Sequence, residues 1–272
     1  PEAGQTNEEG SRLMQHVVSF SGGIVSWATA KRVAEKHGTE NLTLLFADTN
    51  MEDEDLYRFL EDCSKNIGIP VTKIADGRTP WDVFTDIRMM GNSRVDPCSR
   101  ILKRELLDAW HREHCDPEST TIYVGISWDE SHRCEAISRR LAPWKVEFPM
   151  CEPPFLTKGE LVQMLNADGI KQPRLYGMGF PHNNCGGFCI KGGHSSFALL
   201  LKQMPDRYAF HEQKEREFRE RTGKNVSILR DRSNGETKPL TLQELRERIE
   251  SGNSVSAFDW GSCSCFAETG DA

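Results

Sequence analysis

The run His16-Val17-Val18-Ser19-Phe20 passes directly into Ser21-Gly22-Gly23-Ile24-Val25-Ser26 and then into a helix-like stretch, Trp27 to His37. A strand that enters a helix through two adjacent glycines constrains the fold of this chain more than any other feature. Gly22 and Gly23 admit positive φ and close approach of the backbone, and Ser21 and Ser26 offer hydroxyl donors. The helix start adds exposed N–H groups and the positive end of a dipole. Such a turn cradles an anion, and it lies at the carboxyl end of a first strand, where open α/β sheets bind ligands. The same residues can also make an ordinary strand-to-helix turn, and no Gly-Lys-Ser/Thr closes the loop as a Walker A motif would require.

The segments beyond the loop support an α/β chain. Leu42 to Ala47 reads as a buried second strand ending at Asp48, Glu52 to Ile67 as a helix, and Val71 to Ala75 as a third strand. Ile101 to His111 lies in another helix, Thr121 to Ile126 is a fourth strand, and Val146-Glu147-Phe148 supplies a short further one. Strand and helix alternating at this spacing predict a Rossmann-like parallel sheet with helices on both faces. Thr157-Lys158-Gly159-Glu160 and Thr241-Leu242-Gln243-Glu244 fit capping boxes, so helices should begin at both places. The expected organisation is a disordered tail over 1–12, an α/β nucleotide-binding domain over 13–204, and a helical appendage with a Cys-rich tail over 205–272. Strong strand signals are lacking after about Pro205.

Hydrophobic residues make up 37% of the 272 and charged residues 28%, a globular balance with no apolar run long enough to span a membrane. Without a leader-like opening, the expected location is cytoplasmic and no membrane partner is implied. Nine cysteines, an odd number, then suggest reduced thiols with metal or catalytic roles rather than a disulfide framework. The net charge of −7 does not favour a dedicated nucleic-acid binder. Basic residues between Lys202 and Arg232, and the group Arg133, Arg139, Arg140 and Lys145, read either as solvated faces laced with ion pairs or as a phosphate-binding surface.

Five segments in order resemble the blocks of the phosphoadenosine phosphosulfate reductase family, within the PP-loop adenine-nucleotide α-hydrolase superfamily. They are Ser21 to Ser26, Phe46 to Glu52, Asp96 to Arg100 with Lys103, Gly125 to Arg133, and Leu175 to Gly179 followed by Cys185. The resemblance covers roughly Val17 to Gly193 and implies an adenine-nucleotide α-hydrolase-like fold. It implies that Ser21, Gly22, Gly23 and Ser26 hold phosphate or sulfate oxygens and that Asp48 lies beside the adenosine, with Thr49 and Glu52 close by. Lys103 and Gly125 fall in matching blocks of the nucleotide site. Arg133 would meet an anionic group of the nucleotide, since a guanidinium matches phosphate oxygens bidentately. Asp48 is also compatible with a turn or helix cap, and Arg133 with a solvated surface.

Cys98, Cys185 and Cys189, with Cys263 or Cys265, form a second constellation. Soft thiolates favour an iron–sulfur cluster or zinc over magnesium or calcium. Some sulfonucleotide reductases carry a four-iron four-sulfur cluster on an adjacent cysteine pair plus a later pair, and the resemblance puts such a cluster ahead of zinc here. Unliganded buried or redox thiols remain the alternative. Cys63, Cys115, Cys134 and Cys151 have no matching context and read as small core or surface residues.

Two departures from the family pattern separate its branches. Val25 stands where ATP pyrophosphatases of the superfamily carry aspartate in Ser-Gly-Gly-x-Asp-Ser. Ser262-Cys263-Ser264-Cys265-Phe266 stands where sulfonucleotide reductases end in Glu-Cys-Gly-Leu-His, so Cys263 or Cys265 is a candidate nucleophile without the family signature. The first expectation is an enzyme that binds ATP with magnesium, cleaves its α,β-phosphate bond and adenylates an acceptor for sulfur transfer to a base or nucleic acid. That chemistry requires a sulfur donor. The second is a reductase of adenylyl sulfate or phosphoadenylyl sulfate, in which a tail cysteine attacks sulfur and a thiol reductant releases sulfite. The third is a nucleotide-binding protein without turnover.

Overall fold

The computed structural model describes residues 13–232, 235–253 and 259–261. Its centre is a five-stranded parallel sheet of β1 (Gln15–Ser19), β2 (Leu42–Asp48), β3 (Val71–Ala75), β4 (Thr120–Val124) and β5 (Lys145–Glu147), in the order β3-β2-β1-β4-β5. The chain runs outward from β1 through β2 to β3, then crosses back to place β4 on the other side of β1. That reversal leaves a crevice at the carboxyl ends of β1 and β4, the place where doubly wound sheets bind ligands.

Both faces of the sheet are covered, which is why β2 carries the continuous buried run Leu44 to Ala47 rather than an alternating pattern. On one face Val18, Leu44, Phe46 and Tyr123 pack against α1 (Ile24–His37), α2 (Glu54–Ile67) and the helix Lys158–Ala167 through Trp27, Leu56, Phe59, Leu161 and Leu165. On the other, Val17, Leu45 and Ala47 meet Leu107, and Ile122 and Val124 meet Ile137 and Leu141 of the helix Cys134–Leu141. The sheet is therefore the Rossmann-like α/β layer expected from the alternation of elements. Thr157 and Thr241 both close capping boxes, each accepting from and reciprocated by the glutamate three residues on.

A second core lies beyond the sheet. Trp81 and Phe84 of α3 (Pro80–Ile87) join Phe188, Ile190, Phe197, Leu200, Tyr208, Phe218 and Leu245. These residues run across position 204, so the helices Pro205–Thr222 and Leu242–Glu250 share a core with residues before it. The region after Pro205 is not wholly helical. Leu229–Asp231 and Lys238–Leu240 form a short antiparallel pair, which the sequence conceals because each strand has only three residues. The expected tail over 1–12 and the Ser262 to Phe266 segment lie outside the described residues.

Candidate nucleotide and thiol sites

The first site forms at the crevice. Gly22 adopts φ 75°, and Gly23 caps α1 with no side-chain hydrogen bond, so the first amides of α1 are not taken by a capping side chain. The Ser26 hydroxyl donates to the Gly23 carbonyl at 2.8 Å, and the buried Asn183 amide donates to the Gly22 carbonyl at 2.9 Å. Gly125, just past β4, lies so close to α1 that a Cβ there would sit 3.0 Å from the Ser26 Cα and 3.1 Å from its nitrogen. A glycine at 125 is thus what lets the two strand ends share one cavity.

That cavity, of about 120 Å³, is lined by Ser21, Gly23, Ser26, Gly125, Lys103 and Arg133, together with Tyr176, Asn183 and Glu130. Arg133 bonds Glu130 at 2.7 Å, while its buried Nε has no hydrogen-bond partner. The Asn183 Oδ1 is likewise buried and unsatisfied. An unpaired donor and an unpaired acceptor in one cavity wall are groups a polar ligand would complete. Their neighbours Arg139, Arg140 and Lys145 are instead committed to Glu135, Asp108 and Glu147, so most of that basic group is an ion-paired surface.

Asp48, expected beside the adenosine, is engaged by protein groups. Its buried carboxylate accepts from the Tyr57 hydroxyl at 3.0 Å, the Asn50 amide at 2.8 Å and Lys73 at 3.2 Å, and it does not line the cavity. The reason is the turn after β2. Asn50 takes φ 53° and folds the chain back onto the carboxylate, which then faces β3 rather than β1. Thr49 also points away from the cradle and donates to Glu52 at 3.0 Å.

The second site is a small enclosed cavity lined by Cys98, Cys185, Cys189, Thr49, Asp96, Lys103 and Lys191. Two segments far apart in sequence thus bring the expected cysteines to line one cavity. Cys263 and Cys265 lie outside the described residues. The loop Cys185 to Cys189 is held from both sides. The Cys185 amide donates to Glu52, and Arg207 donates to the Gly186 carbonyl at 2.8 Å and to Asp53 at 3.0 Å. Gly186 has φ 59°, and a Cβ on it would collide with the Arg207 guanidinium at 2.2 Å. Phe188 stacks on His211 with ring centroids 3.4 Å apart, which locks the loop to the helix Pro205–Thr222. His211 also accepts from the Trp81 indole at 3.0 Å, and burial pulls its imidazole down to about 3, so it stays neutral.

The residue that sequence reasoning underrated is Glu52. Its buried carboxylate accepts from Lys103 at 3.2 Å and from Thr49, and it also takes the Cys185 amide. Lys103 stands in a π-helical turn, Arg100–Glu105, that projects it into the wall between the two cavities, and it lines both. The nucleotide-type cradle and the cysteine cavity therefore share a charged partition.

Asp96, Cys98 and the cysteine loop also bear on how a metal centre would fit. Lys191 is fully buried, its ammonium has no hydrogen bond, and its only charged neighbour among the described ion pairs is Asp96 at 3.8 Å, itself held by Arg104. A buried cation beside three thiols suits a net-negative thiolate centre. Among the described residues, no three His, Cys, Asp or Glu side chains are gathered tightly enough to hold a metal ion. The donor chemistry fits, but Cys98, Cys185 and Cys189 line one cavity without being drawn together into a ligand set.

The fold and the crevice define a doubly wound α/β protein with a ligand cavity at its topological switch point. No family model matches the chain, and no curated protein matches it. Similar solved structures include a phosphoadenylyl-sulfate (PAPS) reductase from Candida auris in a phosphate complex, with TM-score 0.42 and 10% identity over 61% of this chain and 78% of that one. A second is a predicted subunit of tRNA methyltransferase from Methanocaldococcus jannaschii, with TM-score 0.34 and 16% identity over 59% and 91%. A third is the U34-tRNA thiolase NcsA from Methanococcus maripaludis with its 4Fe–4S cluster, with TM-score 0.43 and 16% identity over 75% and 72%. No helix among the described residues is long and apolar enough to cross a membrane.

Proposed function

We propose that this chain is a PP-loop enzyme that binds ATP at the Ser21–Ser26 cradle and adenylates an acceptor next to a thiol centre. The observation that carries the reading is Lys103, which lines both cavities and is paired to Glu52 between them. Phosphate chemistry on one side and sulfur chemistry on the other would meet at that wall.

In this reading the amides at the start of α1 and the Ser21 and Ser26 hydroxyls hold the β- and γ-phosphates, and Arg133 offers its unpaired Nε to a phosphate oxygen. An acceptor oxygen attacks the α-phosphorus, the bond to the bridging oxygen breaks, and pyrophosphate leaves with that electron pair. A sulfur nucleophile then displaces AMP from the adenylated acceptor. Magnesium, when bound, would neutralise charge on the departing pyrophosphate. Asn183 and Tyr176 close the cavity over the loop, with the Tyr176 hydroxyl 3.4 Å from where a Gly23 Cβ would be.

Cys98, Cys185 and Cys189 would hold an iron–sulfur cluster, or zinc, that presents or stores sulfur, with Cys263 or Cys265 as a further ligand. Gly261 pairs with Gly192, three residues past Cys189. Cys263 follows Gly261 by two residues, within about 7 Å of extended chain. The acceptor that suits this chemistry is a nucleobase or nucleic acid.

Anaerobic incubation with ATP, adenylyl sulfate and phosphoadenylyl sulfate in parallel, each with and without tRNA, tests this. Pyrophosphate and AMP from ATP are expected. Sulfite from a sulfonucleotide would replace this reading with the reductase, and binding without any product would leave a nucleotide-binding protein. Iron, sulfide and zinc content of the same sample tests the thiol centre.

A further inference from the structure

Cys134 and Cys151 lie 17 residues apart in sequence, outside both cavities, and their sulfurs approach to 3.7 Å. Both are half-buried, within reach of a small molecule. Cys151 also directs its thiol at the Ile126 carbonyl, 3.4 Å away, and the Ser127 carbonyl, 3.8 Å away. Each cysteine is attached to the nucleotide cavity. Cys134 follows Arg133, whose guanidinium lines the cavity, and Ile126, which Cys151 contacts, lines it as well.

The turn Pro149–Cys151 is anchored to α1, since Arg32 donates to the Pro149 carbonyl at 2.6 Å and to the Glu152 carbonyl at 3.1 Å. Cys134 opens the helix Cys134–Leu141 directly after the turn Trp128–Arg133, which buries none of its residues. A disulfide sulfur–sulfur bond is about 2.05 Å long, so closing it draws the sulfurs together by roughly 1.6 Å. That movement is felt at Arg133, the chain neighbour of Cys134, and removes the Cys151 thiol donor from the Ile126 and Ser127 carbonyls.

We propose that Cys134 and Cys151 are a reversible disulfide pair, closed by a small-molecule disulfide, whose closure displaces Arg133 in the wall of the nucleotide cavity. Cys134 is the attacking thiol. Burial leaves its thiol above the ordinary value, and the bond to Cys151 and the Arg133 guanidinium offset that only in part. Burial and the neighbouring thiol hold Cys151 up at about 12, which suits the second, resolving position. The Cys134 thiolate attacks one sulfur of oxidised glutathione and expels a glutathione thiolate. Cys151 then attacks the Cys134 sulfur and expels the second glutathione. Two protein thiols are oxidised by two electrons, and one glutathione disulfide is reduced to two thiols.

The effect on the cavity rests on the proposed nucleotide site, whereas the disulfide itself does not. Full-length protein is treated with oxidised glutathione or with dithiothreitol, mapped by peptide mass, and titrated with ATP. The expected result is a linked Cys134–Cys151 peptide, two hydrogens lighter and reversed by dithiothreitol, with about tenfold weaker ATP binding in the oxidised form. Cys134→Ser, which removes the attacking thiol, should keep its ATP affinity under the same oxidant. Absence of the linked peptide, or glutathione adducts without an internal bond, overturns the pair. A linked protein with unchanged affinity overturns the coupling to Arg133, as does an equal loss in Cys134→Ser. Failure of the reduced protein to bind ATP would count against the nucleotide site, while the peptide map still decides the disulfide.

Discussion

The two cavities differ in what builds them. The cradle at α1 is made mainly of backbone, with Gly22, Gly23 and Gly125 clearing space and the helix start supplying the donors. The cysteine cavity is made of side chains from four distant segments, held by Glu52, Arg207 and the stack of Phe188 on His211. A backbone site is specified by a few contiguous residues, whereas a side-chain site depends on every element that carries a ligand. Perturbations should therefore separate the two, except at Lys103, where they meet.

Lys103→Met is the largest expected effect. It leaves the Glu52 carboxylate buried without its cation, a loss of about 3–5 kcal/mol. Denaturant unfolding should show it, and both ATP affinity and the reactivity of Cys185 should change together. If only one cavity responds, the shared wall is not a functional coupling.

Next in size is a pH effect confined to the second core. Glu215 is buried, and although it accepts from the Ile228 and Leu242 amides at 3.0 and 2.6 Å, burial pushes its carboxyl up to about 7. Because the folded value lies above the unfolded one, near 4.5, the protonated form favours folding. That stability is present below about pH 4.5 and is lost as pH rises through 7, on the order of 3 kcal/mol in all. Glu215→Gln should not show this component. The stability difference between the two proteins, followed by urea unfolding from pH 4.5 to 8, should move against the wild type as pH rises, while ATP affinity shows no matching trend.

Gly125→Val acts on the cradle alone. Its Cβ would press on the backbone of Ser26, costing about 1–3 kcal/mol and displacing the α1 amides from their ligand position. Calorimetric titration with ATP should lose at least tenfold in affinity, with the alkylation rate of Cys185 and Cys189 unchanged. Arg207→Met is the smallest and acts on the other side. Asp53 keeps Arg174 at 2.7 Å, so the cost is that of the Gly186 and Asp53 hydrogen bonds, about 1–2 kcal/mol. It should speed alkylation of Cys185 without altering ATP affinity.

Much of this arrangement is legible in the sequence. The loop Ser21 to Ser26, the strand–helix alternation and both capping boxes are local patterns, set by glycine conformation, strand periodicity and reciprocal hydrogen bonds three residues apart. The short antiparallel pair at Leu229 and Lys238 is not, since three-residue strands carry no periodicity. Asp48 reads as an adenosine contact from its position at a strand end. The left-handed turn at Asn50 brings its carboxylate to Tyr57 and Lys73, partners that a strand position alone does not encode.

The sequence alone determined the fold class, the glycine turn into α1 after β1 and the set of cysteines worth following, because each is carried by residues that act on their immediate neighbours. Tertiary structure decided that Cys98 joins Cys185 and Cys189, that Lys103 and Glu52 divide the two cavities, and that Cys134 faces Cys151. Those contacts span 17 to 91 positions of chain, and only the packing of the sheet and the second core sets where such side chains end.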